Sequence, residues 1–372
     1  SALHDFVARW QPQLIGISLT SNFFGLAVEL TRRLRLAATC PIVWGGIDPT
    51  ANPDLAIEHA DVVCIGEGEW PILELVEAIE RGIDYSTVAN LWSRSGARVT
   101  RNAVRPPIQE LDELPFPDFL PNGKYHMSGG RVEPRALPPA SVLYFNYPAL
   151  SGRGCPFSCT YCCNSMLRDL YGARGYVRVR GVENVIAELQ HARSVNPEIR
   201  RVEFHDDVFG ARVEWLREFA YHYQRGVQLP FSCYTHVTAC PEERVALLKQ
   251  AGVAFTIVGI QSGSQRVLND IYNRTAPRAL TVEVVQMLAA AGIQVILDVI
   301  AHNPLETEDD YRETLDLLLD LPRGFILHDV NALSVYRNYP IVSLLQDQGV
   351  ALEWHEGRNV CNSAEGLEHR FW

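Results

Sequence analysis

The stretch GCPFSCTYCC, residues 154–163, decides how this chain is read. It places three thiols, Cys155, Cys159 and Cys162, within eight positions, beside Gly154 and Pro156. Cys159 and Cys162 fit one turn, while Cys155 comes round from the other side, so the segment is a loop wrapped about a metal centre. Three thiolates on a four-iron cluster leave one iron without a protein ligand, open to a substrate or cofactor. Buried packing cysteines do not account for this spacing. Zinc wants a fourth ligand, and no second Cys pair or His pair of finger spacing follows. A redox pair at Cys159–Cys162 leaves Cys155 without a task. Consecutive side chains diverge, so Cys163 is read as packing or as a neighbour of the ligands.

Downstream of the loop the pattern is a regular alternation. Strand candidates are 141–147, 201–206, 228–235, 253–260, 293–300 and 325–335, each followed by a helical segment. Six such units in series predict an α/β fold with a parallel sheet rolled into a full or partial barrel. Right-handed crossovers put every C-terminal strand end on one rim, where chemistry sits in such folds. The cysteine loop, Asp206-Asp207, Cys233 to His236, Gly259 to Gln261 and Asp298 to His302 all fall on that rim. Asp206 and Asp207 also suit helix capping, and His205 and His302 suit plain rim positions.

Upstream, residues 101–140 hold eight of the 22 prolines and read as a connector without helices or central strands. Before it, Leu3, Phe6, Val7 and Trp10 share a helical face, and Leu14–Thr20 is an apolar strand. Ser21-Asn22 is placed to cap a helix running to about residue 37. Strand–helix units begin at Pro41–Gly46 and Asp61–Gly66, and VANLWSRSGARVT, 88–100, alternates around a Ser-Gly turn as a hairpin. The expected division is 1–100, a connector at 101–140, a barrel at 141–340 and an extension at 341–372.

Composition narrows the function. With 33 basic and 44 acidic side chains and no basic run, the chain lacks the positive face that nucleic acid requires. No apolar stretch approaches a membrane span of about 20 residues, and Asp5, Arg9 and Gln11 interrupt any signal-like start. Nine cysteines, four of them at 155–163, suggest a metal in a reducing compartment, with the cytoplasm as the default.

Cys-x-x-x-Cys-x-aromatic-Cys resembles the signature of the radical S-adenosylmethionine (SAM) superfamily. VRVRGVENVIAELQ (177–190), VEFHDDVFG (202–210) and VGIQSGSQRVL (258–268) resemble further segments of that family's barrel. The resemblance implies a partial (β/α)6 barrel in which Cys155, Cys159 and Cys162 hold a [4Fe-4S] cluster that cleaves SAM to a 5′-deoxyadenosyl radical. It implies Tyr161 beside the adenine, Asp206 and Asp207 toward the SAM amino group, Gln261 near the ribose, and His236 at a strand end facing SAM. The family commonly has Glu where Gln261 stands and often Arg where His236 stands. In HNPLETEDD (302–310) both loop glycines of the family are replaced, and RNYPIVSLL (337–345) lacks Gly-Thr after Pro340.

GISLTSNF, VWGGIDPTANP and DVVCIGEGEW look like the later strands of the Rossmann-like cobalamin-binding domain that precedes many radical SAM barrels, and ELDELPFPDF (110–119) resembles its linker. The resemblance implies a truncated domain of that kind, short of its opening strands, with Ser18, Thr20, Gly45, Gly46, Gly66, Glu67 and Gly68 toward the corrin. No Asp-x-His-x-x-Gly is present to supply an axial ligand. The implied activity is cobalamin-dependent methylation of an unactivated carbon. Radical cyclisation, oxidation or rearrangement without methyl transfer is the alternative, and a non-catalytic metal-binding module is the reading from another class. A small-molecule or peptide substrate and an electron donor such as flavodoxin or ferredoxin would be the partners.

Overall fold

The computed structural model describes residues 2–118, 123–134, 145–354 and 358–360. Its N-terminal unit is a five-stranded sheet in chain order. Strands β1 (Ile15–Ser18), β2 (Ile42–Gly45) and β3 (Val62–Cys64) run parallel. The expected hairpin follows as antiparallel β4 (Leu91–Ser95) and β5 (Arg98–Arg101). Strand β2 is apolar on consecutive positions because both its faces are covered. Trp44 is fully buried there, and its indole N–H donates to Thr31 Oγ1 at 2.9 Å.

One local expectation changes. The helix foreseen from Ser21 runs over Phe24–Leu34, after a 3-10 turn at Ser21–Phe23. Ser21 is buried and bonds Asp48, so its hydroxyl is not available as a cap. Within the proline-rich connector, β6 (Tyr125–Ser128) and β7 (Arg131–Pro134) form a hairpin turned by Gly129 and Gly130, both at positive φ. A two-stranded ribbon has no central strand, so Pro134 at its end removes no needed bond. Tyr125 packs between Phe6 and Trp10, with ring centroids 4.7 and 5.7 Å away, which closes the hairpin on the helix Ala2–Trp10.

The second unit opens with β8 (Asn146–Ala149); residues 141–144 of that strand candidate lie outside the described residues. A two-residue antiparallel ladder, β9 (Gly152–Arg153) with β10 (Arg178–Val179), then brackets the cysteine loop. Strands β11 (Arg201–Phe204), β12 (Phe231–Thr235), β13 (Val253–Gln261), β14 (Gln294–Ala301) and β15 (Ile326–Ala332) complete a six-stranded sheet. Its order is β15-β14-β13-β12-β11-β8, and every neighbouring pair is parallel. This is the open, partial barrel that the repeat predicts.

Alternation along the strands separates core from site. Thr256, Val258 and Ile260, with Val295, Leu297 and Val299, are buried under the outer helices. Their neighbours Ile257, Gly259, Gln261 and Asp298 remain half-buried on the concave side. Among the described residues no helix is long and apolar enough to cross a membrane.

Candidate active site

The cysteine loop runs from β9 into the helix Cys163–Tyr171. Gly154 opens it at φ 87°, and an added Cβ would lie 2.5 Å from the Tyr176 carbonyl oxygen, so this crossing admits only glycine. The loop is fastened from outside. The Thr160 amide donates to Tyr272 O at 3.1 Å, Asn273 Nδ2 to Ser158 O at 3.0 Å, and the Ile341 amide to Thr160 O at 3.1 Å. The Cys162 amide bonds Cys159 O at 3.1 Å, the single turn expected for that pair. Cys159 is buried, while Cys155, Cys162 and Cys163 are half-buried.

The Cys163 thiol donates to the Cys162 sulfur and lowers Cys162 to about 7 against the effect of burial. Asn164 Nδ2 approaches the same sulfur at 3.7 Å. Burial pushes Cys155 up to about 12. Among the described residues no three His, Cys, Asp or Glu side chains converge as they would on a single metal ion. A multinuclear cluster asks for a wider spread, because each thiolate binds its own iron.

The other sequence-predicted residues surround this loop. Asp206 is buried and accepts the Ser151 amide at 2.9 Å and the Ser151 hydroxyl at 2.5 Å, tying the end of β11 to that of β8. Burial raises its pKa to about 6, with the Ser151 bonds opposing. Asp207 accepts from Asn164 Nδ2 at 2.8 Å. The next helix begins at Val213, so neither aspartate caps it. Tyr161 packs edge-on against Tyr272 at 4.9 Å. His236 is buried, stacks on Phe157 at 3.8 Å, accepts from the Thr238 amide at Nδ1, and among the described residues has no partner at Nε2. Burial, then the charge of Arg274, lowers it to about 3, so it is neutral. Gln261 takes φ 65° and folds its amide over the bare face of Gly259.

Between the two units lies a cavity of about 680 Å³. Ser18, Gly46, Gly66 and Glu67 line it from one side, and Cys163, Asp206 and Asp207 from the other. Thr20, Gly45 and Gly68 are not among its lining residues. Thr20 leads into the 3-10 turn, Gly45 lies in the ladder opposite Ser18 with Cys64 beneath it, and Gly68 packs on Cys64 where the helix Glu69–Arg81 starts. Glu67 lines the cavity but its carboxylate is held by Arg178 at 2.8 Å and by the Ile108 amide at 2.7 Å.

Several contributors escape a reading of the sequence. Thr50 accepts from the Gly66 amide at 2.9 Å and donates to Gly46 O at 2.8 Å, joining two of the glycine turns. Tyr176 donates to Asn164 Oδ1, which continues a chain from the cavity to Asp207 and Cys162. Tyr171 lies against Gly66 and accepts the Glu67 amide at 2.7 Å. Arg274 is buried with Nη1 3.7 Å from Cys159 Sγ.

Residues 150–318 match the radical SAM superfamily. An uncharacterized methyltransferase of Pyrococcus horikoshii is 26% identical over 322 residues, covering 85% of this chain and 66% of the relative. The anaerobic magnesium-protoporphyrin IX monomethyl ester cyclase of Cereibacter sphaeroides is 24% identical, over 93% of this chain and 54% of that enzyme. The chain thus spans between about half and two thirds of these relatives. Among solved structures, the radical SAM methyltransferase TsrM from Kitasatospora setae, with cobalamin and a [4Fe-4S] cluster bound, superposes with a TM-score of 0.73 at 20% identity, covering 93% of this chain and 66% of TsrM. The cobalamin-dependent radical enzyme OxsB, with aqua-cobalamin and SAM bound, gives 0.76 at 17% identity, over 96% of this chain and 57% of OxsB. At these identities the structural likeness concerns the fold.

Proposed function

We propose that this chain, whose residues 150–318 match the radical SAM superfamily and whose fold is that of the cobalamin-binding TsrM structure, is a cobalamin-dependent radical SAM enzyme that methylates an unactivated carbon. One observation carries the reading. The strand ends bearing Ser18, Gly46 and Gly66 and the rim bearing the cysteine loop and Asp206-Asp207 open onto one cavity.

The residues present suit the groups this requires. The donor set is three cysteines on one loop, and the buried guanidinium beside Cys159 suits an anionic centre. The cavity of about 680 Å³ that Ser18, Gly46 and Gly66 line is the space for the second group, while the bare faces of the two glycines are filled by the Leu19 backbone and by the Tyr171 hydroxyl. Held on the cysteine loop, a four-iron cluster with one open iron would supply the electron for reductive cleavage of SAM, itself re-reduced by an external donor, and cobalamin would carry the transferable methyl group. In this reading Cys155, Cys159 and Cys162 are the cluster ligands. Tyr161, His236 and Gln261 line the SAM side, with Asp207 toward its amino group. Asp206 acts through Ser151, holding the rim at a fixed height. Asn164 keeps Asp207 and Cys162 in register. The aromatic pairs Phe157–His236 and Tyr161–Tyr272, in each of which the second ring is buried and the first half-buried, help to exclude water from the reacting side. A flavodoxin- or ferredoxin-type reductant and a reducing, cytoplasmic setting belong to the same reading.

The similarity to a cyclase over most of the chain favours, as a second reading, the same machinery working without net methyl transfer. Anaerobically reconstituted protein should carry about four irons per chain. Cys155→Ala, Cys159→Ala and Cys162→Ala should each lose them, and Cys163→Ala should keep most. SAM labelled in its methyl group, supplied with reductant, cobalamin and candidate substrates, should yield deoxyadenosine and a labelled product. An unlabelled product moves the assignment to the second reading. Stoichiometric zinc without iron rejects both.

A further inference from the structure

A second chamber, of about 390 Å³, opens from the cavity beside the cysteine loop and shares Leu150, Gly152, Arg153 and His205 with it. It lies between the connector and the first strand of the barrel. Strand β8 is the outermost of an open sheet, so its edge needs a cover. The connector covers it and leaves a gap, lined by Leu111, Leu114, Pro115 and Pro117 from one side and by Pro148 and Leu150 from the other. The connector wall is fixed before any ligand arrives. The Gly181 amide donates to Asp112 at 3.0 Å, Leu111 is buried, and the Phe116 ring rests 6.0 Å from the Arg180 guanidinium. The flanking prolines stiffen the backbone between these anchors.

The charges on this wall are already matched. Arg153 meets Glu69 at 2.5 Å and Glu67 at 3.2 Å. Arg180 meets Glu188 at 2.5 Å, and Glu188 also accepts the Tyr147 hydroxyl at 2.8 Å. His205, the remaining ionisable side chain among the lining residues, has Nε2 3.9 Å from Glu203 Oε2. Every guanidinium and carboxylate described on the wall therefore has its counter-charge. A charged ligand group would give up its hydration there and meet no partner left over, which is unfavourable. An apolar group gains by leaving water. Preformed, mostly apolar walls around a volume of this order are the usual form of a small-molecule site.

We infer that this side chamber seats an uncharged, apolar part of the substrate, a hydrocarbon chain or ring, while the carbon to be modified lies in the shared mouth at Gly152 and His205. From that mouth the larger cavity leads to Asp206 and Cys163. This rests on the radical SAM reading above and adds a substrate class to it. Binding energy gathered on a remote apolar part is what holds a reacting carbon in place while it waits for its partner.

The test uses the anaerobically reconstituted full chain and two fluorescent probes built on the same rings, uncharged phenylnaphthylamine and anilinonaphthalenesulfonate. The uncharged probe should bind about tenfold or more tightly than the sulfonate. Leu114→Asp, which puts a charge on the wall, should weaken the uncharged probe by about tenfold or more. Leu319→Asp, at an exposed position on the helix Glu308–Asp320, should leave it unchanged. Equal binding of the two probes, or indifference to Leu114→Asp, overturns the inference. Should Leu114→Asp not retain iron, Leu150→Asp decides by the same criterion. Candidate substrates that take up label from methyl-labelled SAM should displace the uncharged probe. In Leu114→Asp their KM should rise about tenfold with kcat kept within about threefold, as for binding lost away from the reacting carbon. Labelled product from candidates that leave the probe in place overturns the inference and upholds the functional reading. A wild type that holds no iron, or holds iron and cleaves no SAM, fails the functional reading, and the two probes still decide which ligands the chamber takes.

Discussion

Asp206 combines burial with two hydrogen bonds from Ser151, and burial dominates, raising its pKa to about 6. An unfolded aspartate titrates near 3.9, taken as about 4. The folded chain therefore binds this proton more tightly than the unfolded one. The stabilisation is complete below about pH 4 and is lost as pH rises through about 6. Between pH 5 and 7.5 the loss from this one group should be about 1 kcal/mol. Urea denaturation of the metal-free chain across that window should show the slope in the wild type and a shallower one in Asp206→Asn; parallel slopes would reject the assignment. The cluster cysteines and the aspartate pair were legible because their spacing is chemical. Arg274 was not, since it lies 115 residues from the cysteine it approaches and sits in a polar segment, NRTAPR, indistinguishable locally from the half-buried Arg278 that pairs with Asp320.

Strands and helices of the barrel could be read in the sequence because each unit repeats one demand, an apolar outer face on the strand and a helix to cover it. The connector hairpin and the ladder of β9 with β10 could not. Those short ribbons take their stability from what they pack against, as Tyr125 does between Phe6 and Trp10, and local pattern carries no trace of that. The loop after β13 shows the same limit. Gly263 looks like an ordinary turn glycine, yet an added Cβ would lie 2.4 Å from Glu313 O and 2.5 Å from Thr314 Cα. The helix Glu308–Asp320 comes this close because Thr314 Oγ1 accepts the Gly263 amide at 2.8 Å, while Asp310 accepts Ser264 Oγ at 2.6 Å and closes the cap with Thr307. Backbone on both sides leaves no flexible group to yield. Gly263→Ala should therefore destabilise the chain by about 1–3 kcal/mol, the range for overpacking. It should also disturb Gln261, two residues upstream. A denaturation midpoint within error of the wild type would show that the helix can move aside freely.

At the scale of the whole molecule, the cavity lies between two units joined by several polar contacts, and Glu67 makes the most of them. Its Oε1 meets Arg178 Nη1 at 2.8 Å and Arg153 Nη1 at 3.2 Å, both from the barrel side. Its Oε2 accepts the Ile108 amide of the connector at 2.7 Å, and its own amide donates to Tyr171 at 2.7 Å. One residue of the N-terminal unit thus holds connector and barrel together. The side chain of Arg178 is 5% exposed, so removing its partner strands a buried charge, which costs about 3–5 kcal/mol when nothing relaxes. Relaxation is available here: separation of the units readmits water to Arg178. The penalty should consequently appear as mobility at the junction and spare the barrel core. In Glu67→Gln, amide exchange should quicken around residues 66–67, 108 and 176–178, while β13 and β14 keep wild-type protection. Adding Arg178→Gln should restore part of the junction's protection, because two neutral amides no longer bury an unpaired charge. If exchange rises throughout the barrel as well, Glu67 supports the whole fold. If it rises nowhere, the other contacts across the junction, such as Asn338 Nδ2 to Ala51 O at 2.7 Å, suffice to hold the cavity open.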